Sequence, residues 1–134
     1  ELVATAGDAA LVSEVFYRIA DYYGNGVDVS LMPPEHRAVF LADHASGIVG
    51  NGGFDYLFSG TFEGDPSYGL ALEAYELIGC DVAADAVRRA LDVFPARKPP
   101  SDIEKRLSLF RSAPSEVRHA ANTQMWSAHD AIVA

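Results

Sequence analysis

Apolar residues in this chain recur at steps of three and four, and each run stops at glycine, proline or a capping residue. That spacing lays one apolar stripe along each helix. Val12, Val15, Phe16, Ile19, Tyr22 and Tyr23 mark a first helix, capped by Asp8 and stopped by Gly24-Asn25-Gly26. Val27 to Leu31 has the look of a short strand, with nothing nearby to pair with it. Pro33-Pro34 opens a second helix, which runs through His36, Phe40, Leu41, His44 and Ile48 to Gly50. Asn51-Gly52-Gly53 predicts a tight turn with Gly52 or Gly53 at positive φ, because Gly and Asn tolerate that region. A short aromatic helix, Phe54 to Phe58, follows.

Further on, Gly60 to Pro66 predicts a loop with Asp65 as a cap. Leu70, Ala74, Tyr75, Leu77 and Ile78 form the next stripe, closed by Gly79. Asp81 is the expected cap of another helix, which buries Ala83, Ala86, Val87, Ala90, Leu91 and Phe94 and ends at the prolines from Pro95 to Pro100. Ser101 and Glu104 have capping-box spacing before Leu107 and Phe110. Ser115 caps a last helix through Ala121, Met125, Trp126 and Ile132. The expectation is an all-α fold: residues 1–134 as one compact bundle of about six or seven short helices. Its core should draw on Phe16, Phe40, Phe54, Phe58, Leu77, Leu91 and Trp126.

Charge is distributed unevenly over that pattern. Residues 1–87 carry 14 acids against two bases, and residues 88–134 carry five against eight, for a net charge of −9. Between Arg37 and Arg88 there is no lysine or arginine. Self-repulsion opposes compaction, so the excess serves solubility or a basic partner. Hydrophobic residues make up 49% of the chain, so the acidity does not signal disorder. Direct binding to nucleic acid or to an anionic membrane needs basic contacts and is not expected. No apolar run nears the ~20 residues that span a bilayer. The single Cys80 cannot form an internal disulfide, which favours a reducing, cytoplasmic compartment. Glu1 is an unusual first residue, so a trimmed amino terminus is one expectation.

Patterns that carry chemistry are sparse. His36 and His44 are two helical turns apart, but no HExxH, no ExxH pair and no cysteine cluster accompanies them. Neither a metal nor a cofactor is expected, and no catalytic residue is assigned. Cys80 has no histidine near it in sequence, and Asp81 opposes its thiolate. Gly50-Asn51-Gly52-Gly53 opens a helix, yet its acidic surroundings suit a turn better than a phosphate cradle. Asp85 and Arg89, and likewise Arg88 and Asp92, have i,i+4 spacing. Lys105, Arg106 and Arg111 form no continuous stripe and read as a solvated face. Glu73 with Glu76, and Asp81 with Asp85, each share a helix face at about one-turn spacing. Carboxylates so spaced give a sparse copy of a phosphate row.

Three blocks carry a resemblance. They are Gly50-Asn51-Gly52-Gly53-Phe54-Asp55-Tyr56-Leu57-Phe58, then Leu72 to Cys80 ending in Leu77-Ile78-Gly79-Cys80, then Leu91-Asp92-Val93-Phe94-Pro95. Together, in this order and spacing, they resemble the DNA mimic protein 19-like family of bacterial proteins. The chain departs from that pattern at Tyr56, Leu57 and Gly60, where the family shows glutamine, an aromatic and asparagine. The resemblance implies an acidic helical protein without cofactor; a named member occupies a DNA-binding transcription regulator.

The expected function is therefore an acidic protein-binding module. Asp55, Glu63, Asp65, Glu73, Glu76, Asp81 and Asp85 would face a basic protein such as a DNA-binding regulator. Asn51, Gly52, Gly53, Phe54 and Phe58 would form a structural motif. Two alternatives stand beside this. One is an immunity or antitoxin protein that neutralises a basic toxin. The other is an enzyme with a pocket near Asp43, His44 and Asn51.

Overall fold

The computed structural model describes residues 28–60, 62 and 64–133, with side chains placed up to Ala128. Five α-helices carry these residues: α1 (Pro34–Phe58), α2 (Gly69–Leu77), α3 (Asp81–Leu91), α4 (Ile103–Arg111) and α5 (Ser115–Val133). Short 3-10 turns at Val29–Leu31 and Pro95–Arg97 precede α1 and follow α3. The strand-like Val27–Leu31 segment is thus a tight turn over its described part, with Asp28 as its cap. Among the described residues there is no strand, only an isolated bridge between Phe62 and Asp65. The fold is all-α, as the periodicity predicts. The helix count is lower for two reasons. The first expected helix, with Phe16, lies outside the described residues. The helices predicted on either side of Asn51-Gly52-Gly53 are one kinked element.

That kink is a single residue. Gly50, Asn51 and Gly52 continue the helix, and only Gly53 leaves it, at φ 71° and ψ −171°. An L-residue is strained there. A Cβ at Gly53 would also lie 3.0 Å from both amide heteroatoms of Asn122. The break takes the Phe54 N–H away from its intrahelical acceptor. Asn122 on α5 replaces that acceptor, with Oδ1 2.9 Å from the Phe54 nitrogen. One turn earlier, the Trp126 indole N–H donates to the Val49 carbonyl at 2.8 Å. Trp126 is 41% exposed, so it grips the backbone from the rim and does not fill the core as expected.

The kink turns Phe54 and Phe58 inward. Phe58 is the hub, with the rings of Tyr68, Phe94 and Phe110 at 5.2, 5.0 and 5.0 Å. Helix α3 packs on α5 through small residues, with Ala83, Ala84, Ala86 and Ala90 all buried beside Val87 and Leu91. Val29, Met32, Ala38, Phe40 and Leu41 form a second cluster against Ala74.

Leu77 departs from expectation. It is 59% exposed. The inner face of α2 is filled by Ala71, Ala74 and Tyr75, and the helix ends at Leu77. The fully buried Tyr75 shares a hydrogen bond with Ser46 at 2.7 Å and donates to the Ala42 carbonyl at 3.0 Å. Burial holds its phenol neutral well beyond the usual range.

Helix ends follow the sequence with three shifts. Gly79 takes φ 76° and Cys80 N donates to Tyr75 O at 2.9 Å, a Schellman closure of α2. Asp81, however, lies inside the first turn of α3, whose cap position is Cys80. The cap of α4 is Asp102, which accepts from the Lys105 N–H at 2.9 Å, in place of Ser101. At α5, Ser115 is the first helical residue, and the cap position is Pro114, whose carbonyl accepts from the Val117 and Arg118 N–H groups.

Two substitutions test the kink by thermal or urea unfolding. Gly53→Ala is expected to cost more than about 1 kcal/mol, because it adds positive-φ strain. Phe54→Ala is expected to cost about 3–5 kcal/mol. Unmoved midpoints for both would mean that the kink and its ring are not structural.

Candidate functional site

The seven acids expected to meet a partner separate in three dimensions. Glu63 lies outside the described residues. Asp65 is buried, and its two oxygens accept from the Leu70 and Ala71 N–H groups, each at 2.9 Å. It acts as a remote cap of α2, whose own cap position is Tyr68 at φ 61°. Its carboxylate is therefore committed inside the protein. Burial pushes its pKa up, outweighing the bonds from Leu70, Ala71 and Gly69 and the nearby Arg37. Asp55, in the last turn of α1, meets Arg111 of α4 at 3.2 Å.

The remaining four lie at the surface of two successive helices. Glu73 and Glu76 lie on the exposed side of α2, and Asp81 and Asp85 on the first turns of α3. Arg88 of α3 reaches back to Glu76 at 2.7 Å and ties the two helices together. Arg89 meets Asp85 at 3.1 Å, the i,i+4 pair expected from spacing. Gln124 of α5 adds a bond to Asp85 at 2.8 Å, and with Arg89 it lowers the pKa of that carboxyl. Arg37 stands 4.0 Å from Glu73, at the limit of an ion pair. Arg88 does not use Asp92, which pairs instead with Arg97. The stretch without bases is thus flanked in space by Arg37, Arg88, Arg89 and Arg111, drawn in from both sides of it.

The alternative site behaves differently. His44 is packed edge-on between Phe40 and Phe62, with centroids at 5.4 and 5.3 Å. It faces a cavity of about 260 Å³, lined also by Ile48, Tyr56, Leu57 and Tyr68. Burial lowers its pKa, partly offset by Asp43, so the imidazole is neutral near pH 7. Among the described residues no carboxylate, amine or thiol lines that cavity, and Asn51 is exposed and not part of it. Among the described residues, no group of three or more His, Cys, Asp or Glu side chains is placed to hold a metal ion. No helix among them is long and apolar enough to cross a membrane.

Arg106 has a role that its spacing does not announce. It reads as part of a solvated face, yet it is fully buried. Its guanidinium donates to the carbonyls of Phe58, Pro100 and Gly60 at 2.8, 2.9 and 3.1 Å. Its cation lies 5.8 Å over the Tyr68 ring. The Tyr68 hydroxyl donates to the Leu57 carbonyl at 3.2 Å and also to that of Gly60. A cation here also faces the negative end of the α1 dipole. The one sequence signal was position: Arg106 falls one residue before Leu107 on a helix whose inner stripe is thin.

Fold and surface define an acidic, all-α protein whose motif residues build the core. A sequence model of the DMP19-like protein family matches residues 30–132, and the chain belongs to that family. Neither the curated proteins nor the solved structures give a significant match.

Asp65 supplies a pH test. Its folded pKa lies above the unfolded value of about 3.9, so its contribution to stability is fullest below that value. That contribution is lost as pH rises through the folded pKa. Asp65→Asn removes the titration, so its stability relative to the parent is expected to rise as pH increases from about 4. A tenfold change in the acidity of the carboxyl on folding corresponds to about 1.4 kcal/mol. Parallel stability–pH curves in urea would contradict the assignment.

Proposed function

We propose that this DMP19-like protein is a protein-binding module whose α2–α3 face engages a basic, DNA-binding protein in place of nucleic acid. The observation that supports this reading is that Glu73, Glu76, Asp81 and Asp85 all stay at the surface of two successive helices, which the Arg88–Glu76 pair ties together. Their intramolecular partners do not remove them from use. Exposed ion pairs are worth about 0–1 kcal/mol, so an incoming guanidinium exchanges with Arg88 or Arg89 at little cost. Family membership is consistent with the same role. Asp65 and Asp55 fall outside this proposed face, the first because it caps α2 and the second because it joins α1 to α4.

Charge reversal would place lysines against Arg37, Arg88 and Arg89, so neutralisation is the cleaner test. The variant combines Glu73→Gln, Glu76→Gln, Asp81→Asn and Asp85→Asn. A basic partner captured from the source cell at low salt should associate with it about tenfold more slowly and with a flatter salt dependence. Duplex DNA should compete with the parent for that partner. Unchanged capture by a variant with a native far-UV spectrum would exclude this face.

A further inference from the structure

The acidic face has an apolar centre. Leu77, Ile78 and Val82 are 59%, 44% and 48% exposed, in a run of six residues that rounds the α2–α3 corner. Single exposed aliphatics are ordinary on protein surfaces, but three within six residues at one helix corner are not scattered singly. Glu73 and Glu76 precede this run, and Asp81 and Asp85 lie within and after it. The corner is held in shape. The Schellman closure at Gly79 fixes the turn, and Gln124 donates to both the Val82 carbonyl and Asp85, at 3.1 and 2.8 Å. A Cβ at Gly79 would meet nothing within 4 Å, so the surface above the turn is open.

We infer that the α2–α3 corner binds a basic amphipathic segment of a partner protein, seating its aliphatic side chain on Leu77, Ile78 and Val82. The inference rests on reading the acidic face as a partner surface. It adds that recognition is not by charge alone. Charge complementarity selects the occupant. Nucleic acid would bring phosphates against Glu76 and Asp81. A second copy of this chain would bring like charges against like. A neutral segment would leave the carboxylates without new counter-ions. A segment with leucines flanked by lysine or arginine satisfies both the apolar centre and its rim. Such a contact has a salt-resistant part, because apolar burial is not screened.

The test is a ¹⁵N-resolved titration of the whole chain with two synthetic peptides of matched length and charge. One is a leucine–lysine amphipathic helix; the other replaces leucine with glutamine. The leucine–lysine peptide is expected to shift the amides from Glu76 to Val82 and to bind about tenfold more tightly. Leu77→Ser with Val82→Ser, both at exposed positions, should reduce its affinity to that of the leucine-free peptide. Equal binding of the two peptides to these amides would overturn the inference and leave the acidic reading standing. No shift between Glu73 and Asp85 with either peptide would overturn both. Shifts of these amides that depend on protein concentration without peptide would assign the corner to a second copy, and would also overturn the inference.

Discussion

A single backbone break at Gly53 lets one helix serve two directions, and the rest of the core is arranged around it. An unbroken α1 would carry Phe54 and Phe58 about 140° and 180° round the helix from Val49, away from the face set by Leu41, Ala45 and Val49. The left-handed step at Gly53 resets that face. The cost is a Phe54 N–H with no helical acceptor. Left unsatisfied, a buried amide costs about 1–3 kcal/mol. Asn122 removes that penalty, and Trp126 holds the turn before it. Helix α5 is thereby locked to α1 by hydrogen bonds as well as by packing. The far end of α1 is closed in the same manner. Tyr68 and Arg106, from either side, take up the carbonyls of Leu57, Phe58 and Gly60. Both irregular points of α1 are thus completed by side chains distant in sequence.

Local rules carried much of this. Glycine at positive φ, Asp65 at a helix start, Gly79 at a helix end and the aromatic pair Phe54 and Phe58 were all legible from residue type and spacing. What was not legible depends on approach from elsewhere in the chain. The Phe54 N–H freed by the break is met by Asn122, 68 positions away, which no local pattern announces. Leu77 keeps the right period but lies where α2 ends, with nothing packed above it. Arg106 is buried because three carbonyls converge on it, a geometry that no spacing encodes.

Charge shows the same limit. The stretch from Arg37 to Arg88 is free of bases along the chain but not in space. Arg88 folds back on Glu76, and Arg111 of α4 reaches Asp55. Linear counting therefore overstates the local field. It also merges acids with different duties. Asp65 is a buried cap, Asp55 joins helices, and Glu73, Glu76, Asp81 and Asp85 remain at the surface. The first block of the family motif maps to the kink and core, whereas its second block, Leu72 to Cys80, carries Glu73, Glu76, Leu77 and Ile78 of the proposed partner face. A shared scaffold does not by itself fix a shared partner.

Asn122 closes the Gly53 break, and the Phe54 amide reports that closure directly. Hydrogen exchange at that amide should be protected to the level of the α3 and α5 core amides, because opening it requires α5 to leave α1. In Asn122→Ala the protection of Phe54 should fall well below that of the core. Exchange of the Phe54 amide at the rate of an exposed loop in the parent chain would contradict the account.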